Sequence, residues 1–552
     1  MTNFINIILF YIFILVTSIT ITGYGKAFCK SFNINSSSLS LEIIFGCFFL
    51  GSLSLLINFF FPINLIVTNI ILTLGILLFL YYFKSIQEDL IIFLLITLLA
   101  FFTGIFETSN RPDAGLYHLP YISNLNENKI IIGLNTLHSR FGFTSFLQYL
   151  SSVFNNSIFS DKAIFFPNLI LYSSSLFYFF RLCSSSKISN EIKVLALFFG
   201  ISIAVDMNRF SEFGNDENAH MLFFIFITNF IIYFNNNNFD SKNYIKIILV
   251  LSLFLFMTKV TYSILIFLII FIIFNSFKTF IFFEKLNIFL FSIFCFWIFK
   301  NFLISGCLIY PIESTCFDRL LWTNNFYIAE SLSAEAWAKG YPDSKTKYEF
   351  VKYIANFEWL STWLSNHLIF ILKKISVILF IFICATIYIS QNGKRLKAKK
   401  SFKITLYFNL IFCLIWFLNF PVYRFGSGIL ISTIILINIC FLKNFNLINF
   451  SKIVKVSISL LILLICFKST SRVIDSVKNN QFNNPWININ SDNYEKKVKY
   501  KKIYFTNNKK KYYYSPENNE ICYYSPAPCT HLIVENLYYK KIMGYDLILK
   551  NY

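Results

Sequence analysis

Five residues with reactive side chains, Glu107, Arg111, Asp113, Tyr117 and His118, crowd into Glu107-Thr-Ser-Asn-Arg-Pro-Asp-Ala-Gly-Leu-Tyr-His-Leu-Pro-Tyr121. Carboxylates and imidazoles move protons and a guanidinium holds anions, so this short segment carries the parts of a reaction site. It follows an apolar run at 90–106 that is long enough to cross a bilayer core with modest thinning or tilt. A plain connector needs only Asn, Gly or Ser. Charged groups held at a membrane boundary between Pro112 and Pro120 point to a site, the plain alternative being an acidic loop at a helix end.

Arginine usage is a second signal. The chain has eight Arg against forty Lys. Arg binds phosphate bidentately and stays charged when partly desolvated, whereas Lys acts as a point charge. Arg111, Arg140, Arg209, Arg319, Arg424 and Arg472 fall in segments that the loop charges below place outside, where positive charge is least expected. That placement suggests recognition of an anionic head group. Arg424 lies in Phe420-Pro-Val-Tyr-Arg-Phe-Gly-Ser-Gly428, a tight turn between apolar runs in which Gly426 and Gly428 would let backbone approach a ligand. No Gly-Lys-Ser/Thr follows, so the turn is not a P-loop. Lys259, in Phe256-Met-Thr-Lys-Val-Thr-Tyr262, sits between two hydrophobic stretches, an expensive position unless it meets water or an anion. Asp216, Glu217 and His220 share another acidic loop at 206–220 and would suit a divalent cation or sugar hydroxyls, although no two His have zinc-ligand spacing.

The elements that must hold these groups are membrane helices. Of 552 residues 56% are apolar, and the mean hydropathy is +0.61, which excludes a soluble globular protein and disorder alike. Fourteen apolar segments, from 4–22 to 456–468, predict an all-α polytopic membrane protein with 12–14 crossings. One set of loops is basic (Lys26, Lys84, Arg181, Lys242, Lys278, 394–403, Lys443) and the alternate set, including the 107–121 segment, is not. By the positive-inside rule the first set is cytoplasmic, and the N-terminus, the 107–160 loop, the 305–366 loop and the C-terminal tail are external. The first apolar segment lacks a basic n-region and a small-residue cleavage site, so it reads as a retained helix. The net charge of +20 then serves orientation and anionic lipid rather than nucleic acid.

Three parts follow. A membrane body spans 1–470. An insertion within 305–366, carrying Trp322, Trp337, Trp359 and Trp363, reads as amphipathic and resting on the bilayer surface. A small external tail at 471–552 has strand-like stretches at 502–505 and 531–534. Cys307 with Cys316, and Cys522 with Cys529, share external segments in which an oxidising compartment would permit a disulfide.

With Arg-Pro-Asp113-Ala-Gly-Leu-Tyr-His after a membrane segment and Leu253-Phe-Leu-Phe-Met-Thr-Lys-Val260 in a later hairpin, the chain resembles the GT-C glycosyltransferase superfamily. The second motif is similar to the Leu-Thr-Lys hairpin of protein mannosyltransferase-like and aminoarabinose transferase-like members. The whole also looks like large bacterial membrane proteins with a Pro-Asp-Ala-Gly-Leu-Tyr-His-Leu-Pro signature. In many members the acidic loop follows the first helix, whereas about four segments precede it here. The resemblance implies a polyprenyl-phosphate-linked sugar donor, a glycan, lipid or protein acceptor and an external site in a bacterial inner membrane. It implies Asp113 as general base, with Glu107 or Glu217 as substitutes, and Tyr117, His118 and Asp216 as further substrate contacts. Lys259, Arg424 and Arg140 would hold the donor phosphate, and the segments around 133–138 and 143–150 would be juxtamembrane helices. No organic cofactor is expected. The competing expectations are an O-antigen polymerase or ligase-like enzyme leaning on Arg319 or Arg424, a flippase of lipid-linked glycans, and a non-catalytic sensor.

Overall fold

An apolar run in lipid can satisfy its backbone only within itself, as a helix. In the computed structural model each of the fourteen apolar segments lies on a helix. The structure describes residues 2–36, 38–106, 112–155, 161–206, 216–235, 241–275, 284–323, 326–340, 347–391, 400–442, 444–445, 447–478, 498–518 and 520–550. Among these, ten helices, from Phe4–Ser31 to Leu447–Asp475, are long and apolar enough to cross a membrane, with shorter apolar helices at Leu65–Tyr81 and Val260–Phe274. The chain is an integral membrane protein.

The helices Thr2–Ser31, Leu39–Phe60 and Leu65–Tyr81 pack side by side. Two glycines set how closely the first pair approach. A Cβ on Gly25 would lie 2.0 Å from the Glu42 carbonyl oxygen, and one on Gly46 2.0 Å from that of Ile21. Small residues are what allow such backbone contact between membrane helices.

The bundle has two chemically different ends. At one, the basic loops tie neighbouring segments by separate ion pairs. Lys26 meets Glu42 at 2.7 Å, Arg181 meets Asp89 at 2.8 Å, and Glu284 meets Lys246 at 2.7 Å and Lys242 at 3.8 Å. At the other end the segment 112–155 folds over the bundle as a widened turn at Ala114–His118, the helix Leu119–Glu127, two single turns at Leu134–Thr136 and Ser139–Gly142, and the helix Phe146–Ser152. The expected juxtamembrane helices are therefore short.

Strands of the tail cover that segment. Tyr500–Phe505 pairs antiparallel with Asn508–Pro516, and Leu537–Ile542 with Tyr545–Lys550. The first strand meets the expectation at 502–505. The stretch 531–534 is not a strand; it follows the Cys522–Cys529 disulfide as an irregular connector. The last membrane helix, Leu447–Lys478, runs past residue 470, so the body and tail join within a helix.

The tryptophans of the 305–366 insertion pack mainly against the bundle. Trp359 and Trp363 are buried against Tyr423, Trp416 and Phe417, and Trp363 Nε1 donates to the Pro421 carbonyl at 2.6 Å. Trp322 Nε1 donates to the Phe302 carbonyl at 3.0 Å. Only Trp337 of the four stands exposed. An indole N–H needs an acceptor when buried, and the protein supplies backbone carbonyls, so these rings fasten the insertion to the bundle. The Cys307–Cys316 disulfide closes its first turn.

Candidate functional site

Pro120 explains the shape of the segment that carries Asp113. It cannot donate a backbone hydrogen bond, and its ring would strike the carbonyl four residues back in a regular helix. The turn Ala114–His118 widens instead, with Leu119 N–H bonding the Ala114 carbonyl. Such widened turns recur at functional sites. Asp113 precedes it, and Tyr117 and His118 lie on it.

Two helix starts and one helix end bring cations and a second carboxylate to Asp113. Asp216 opens the helix Asp216–Asn235, where the helix dipole favours a carboxylate. Lys259 follows the last residue of Ser241–Thr258, its backbone extended while its N–H still bonds the Leu255 carbonyl at 2.9 Å. Arg424 lies in the first turn of Tyr423–Cys440 rather than in a loop. From there its guanidinium bridges two carboxylates: Nη1 donates to Asp113 Oδ2 at 3.0 Å, and Nε meets Asp216 Oδ2. Lys259 Nζ pairs with Asp216 Oδ1 and lies 4.3 Å from the Phe425 ring centre. Arg140 Nη1 donates to Asp113 Oδ1 at 3.2 Å, while its Nε stands 3.7 Å from Glu330 Oε1.

The result is an open chain of alternating charge, Lys259–Asp216–Arg424–Asp113–Arg140–Glu330, in which each inner member has two partners of opposite sign. It is formally neutral. Glu330, which lies on Phe326–Ala338 and also accepts from Ser139 Oγ at 3.0 Å, closes it from the insertion side.

Electrostatics follow from this order. Partial burial alone would raise the Asp113 carboxyl, but the charge and hydrogen bond of Arg424, with Arg140 and His118, outweigh it and hold the pKa below the usual carboxylate value. His118 goes the other way from a free imidazole: burial, with Arg424 and Arg140 against the opposing pull of Asp113, lowers it to about 3. It is a neutral ring whose Nδ1 accepts from Gln148 Nε2 at 3.0 Å. Tyr117 lies under Arg140, 5.6 Å from its guanidinium, and burial together with Asp113 pushes the phenol up to about 12.

These groups form the polar wall of a cavity of about 1580 Å³. Its opposite wall is apolar, built by Leu253, Phe256, Phe267, Phe291 and Phe294. Phe267 and Phe291 are 60% and 67% exposed on apolar helices, so this wall reaches the outer apolar surface of the bundle. One compartment thus joins a charged wall to an apolar flank.

Asp113, Tyr117, His118, Arg140, Asp216, Lys259 and Arg424 all line it. Glu217 shares the turn of Asp216 but does not line the cavity, and neither does Arg319. Glu107, Arg111 and Arg209 lie outside the described residues. The expected cation site at Asp216, Glu217 and His220 does not assemble. Asp216 is taken by Arg424 and Lys259, while His220 Nε2 donates to the Arg424 carbonyl at 2.9 Å and its Nδ1 accepts from Tyr262 Oη at 2.6 Å. No group of three or more His, Cys, Asp or Glu able to hold a metal ion occurs among the described residues.

Gly426 and Gly428 have a different use from the one expected. A Cβ on Gly426 would fall 2.4 Å from the Trp416 indole, and one on Gly428 2.7 Å from His220 Nδ1. The glycines admit side chains of the protein itself, and the ring admitted by Gly428 anchors the backbone of Arg424. Two charged residues escaped the sequence reading. Glu330 carries no local motif. Lys300 is fully buried in Lys285–Ser305, bonded to Thr144 and Asn301 and set over the Trp297 ring at 3.4 Å; only its cost inside an apolar run marks it.

No curated protein and no solved structure matches the chain. A family model does: the one described as a domain of unknown function, DUF8201, matches residues 5–431 and takes in all six residues of the charge chain, so the chain belongs to that family.

Proposed function

We propose that this protein is a membrane glycosyltransferase of GT-C type that moves a sugar from a polyprenyl-phosphate donor to an acceptor hydroxyl, with inversion. The observation that carries the reading is the charge chain at the polar end of a cavity whose other wall opens onto exposed apolar side chains of the bundle. A donor with a charged phosphate and a long apolar tail fits such a compartment, and no Gly-rich nucleotide motif competes with it.

The chemistry uses the chain in two steps. In the resting site Asp113 is a weak base because two guanidiniums hold it ionised. A donor phosphate offers Arg424 and Arg140 a better-matched bidentate partner, which releases the carboxylate. The acceptor oxygen then attacks the anomeric carbon and gives its proton to Asp113, while the bond from that carbon to the phosphate oxygen breaks. Arg424, Arg140 and Lys259 stabilise the departing polyprenyl phosphate. Neutral His118 and protonated Tyr117 add polar contacts without adding charge.

The same reading sets the site, both termini and the 305–366 insertion on the external face of a bacterial inner membrane, and the positive-inside rule applied to the basic loops supports it. It counts 12–14 crossings, which takes the shorter apolar helices Leu65–Tyr81 and Val260–Phe274 as crossings beside the ten long ones. Reconstituted protein supplied with a polyprenyl-phosphate sugar and a hydroxyl acceptor should form a glycoside of inverted configuration and release polyprenyl phosphate. Equal use of a nucleotide sugar, or turnover by Asp113→Asn, would remove the assignment.

A further inference from the structure

The tail carries a surface that the reaction above does not use. Strand pairing puts Lys502 opposite Tyr514 and Tyr504 opposite Tyr512, with both pairs on one face of the hairpin. Side chains alternate across a strand, and the other face buries Phe505 and Tyr513 against Tyr539. The outward face is therefore aromatic by arrangement. Tyr504 and Tyr512 stand edge to face at 5.7 Å, Tyr512 and Tyr514 at 5.3 Å, and Lys502 Nζ lies 4.5 Å from the centre of Tyr512. Tyr504 is 53% exposed. Lys501, Lys509, Lys510 and Lys511 are exposed along the same two strands.

Lysines alone would keep an exposed hairpin from pairing with another chain, and cross-strand tyrosines alone would steady it. Neither need explains a run of three rings left on the outer face among lysines. Tyrosine offers an apolar ring for the flat side of a sugar and a hydroxyl for its rim, at low cost in side-chain entropy. The lysines complement acidic substituents and draw a charged polymer by long-range attraction. The Cys522–Cys529 disulfide belongs to the same domain, Cys529 bridging Tyr514 and the Cys522 carbonyl accepting from Tyr500 Oη at 2.8 Å. A disulfide places the domain in an oxidising compartment, where the anionic polymers it meets are envelope glycans rather than nucleic acid.

We propose that the outer face of the 500–516 hairpin, Lys502, Tyr504, Lys510, Tyr512 and Tyr514, binds an acidic polysaccharide. The site is separate from the cavity, and its occupancy does not depend on which reaction the cavity performs.

The test uses the full chain in neutral phosphatidylcholine nanodiscs, titrated with fluorescent oligogalacturonate and with a neutral malto-oligosaccharide of equal length. Saturable binding of the uronate chain is expected, weakening as salt rises, with the neutral chain held far more weakly. Tyr504→Ala with Tyr512→Ala should weaken uronate binding by about tenfold or more, the loss of a stacking contact. Lys502→Gln with Lys510→Gln should weaken it and flatten its salt dependence. All four positions face outward, so the variants should fold, and unchanged thermal unfolding checks that they do. Absence of saturable uronate binding, equal affinity for the neutral chain, or silence of either double variant would overturn the proposal. Binding to phosphatidylglycerol vesicles without binding to the uronate would also overturn it and make the face a lipid contact.

Discussion

The two ends of the bundle arrange their charges differently. At the basic end the contacts are separate and short: Lys26–Glu42 and Arg181–Asp89 are one-to-one pairs, and Glu284 meets Lys246 and Lys242 without linking to either pair. At the cavity end, Asp113, Asp216, Arg140 and Arg424 each have two, in a row that begins at Lys259 and stops at Glu330. A one-to-one pair that loses a member leaves a stranded charge, so it serves stability. A shared row can pass a partner along: an arriving anion takes one guanidinium and the carboxylate left behind keeps another neighbour. The contrast separates charges that fasten from charges that exchange.

Substitutions at the two ends should therefore fail in different ways. Asp113→Asn should give the largest loss, transfer falling by roughly a thousand-fold or more with insertion and unfolding temperature nearly unchanged, because the proton acceptor is gone. Arg424→Ala should slow turnover by roughly 10²–10³-fold, about 3–4 kcal/mol of transition-state stabilisation, and Arg424→Lys should recover only part because the fork is lost. Both are read from initial rates with a polyprenyl-phosphate sugar. At the basic end Glu42→Gln should do the reverse. It strands Lys26, lowers stability by about 3 kcal/mol in a denaturant titration, and leaves the rate per folded molecule alone. Stability loss without rate loss at Asp113, or rate loss without stability loss at Glu42, would erase the distinction.

Two smaller effects sharpen it. His118 has a folded pKa of about 3, far below that of an exposed imidazole, so only the unfolded chain takes up its proton between about pH 6.5 and 3. Its contribution to stability is complete above pH 6.5 and falls as the pH drops through that window, by up to about 1.4 kcal/mol per pH unit. His118→Gln should flatten that part of the acid unfolding curve. Arg181→Gln is the smallest: it opens a partly exposed pair with Asp89 and should cost less than about 0.5 kcal/mol with no change in rate.

Much of the fold was readable because membrane helices announce themselves by length and apolarity, and each apolar segment lies on a helix. The meeting of Asp113, Arg140, Lys259 and Arg424 was readable for a compositional reason. In a chain that prefers Lys and keeps charge out of its helices, an Arg or an interrupting Lys stands out. Glu330 gave no such signal, since it is one carboxylate in an amphipathic stretch and its meaning comes from Arg140, far away in sequence. The roles of Gly426 and Gly428 were misread for the same cause. Their neighbours Trp416 and His220 arrive from other helices, and no local pattern states which object a glycine makes room for. The anchoring of Trp322 and Trp363 gave no sign either, since the carbonyls of Phe302 and Pro421 that they meet lie outside the insertion.

The clasp of the tail on the Asp113 segment has a consequence for how the protein comes into being. Tyr523 N–H bonds the Gly115 carbonyl at 2.8 Å, Ile132 pairs with Leu547, and Tyr545 Oη reaches the Phe59 carbonyl at 2.6 Å. Ser123 and the Ser525 carbonyl that it meets are 402 residues apart. During synthesis the stretch bearing Asp113 leaves the ribosome long before the residues that clasp it, and it must wait while the remaining helices are inserted. The clasp forms only after the tail has been made and has folded around Cys522–Cys529. Stalled or prematurely released chains would lack it, so the final shape of the Asp113 segment certifies that the molecule has been made to its end.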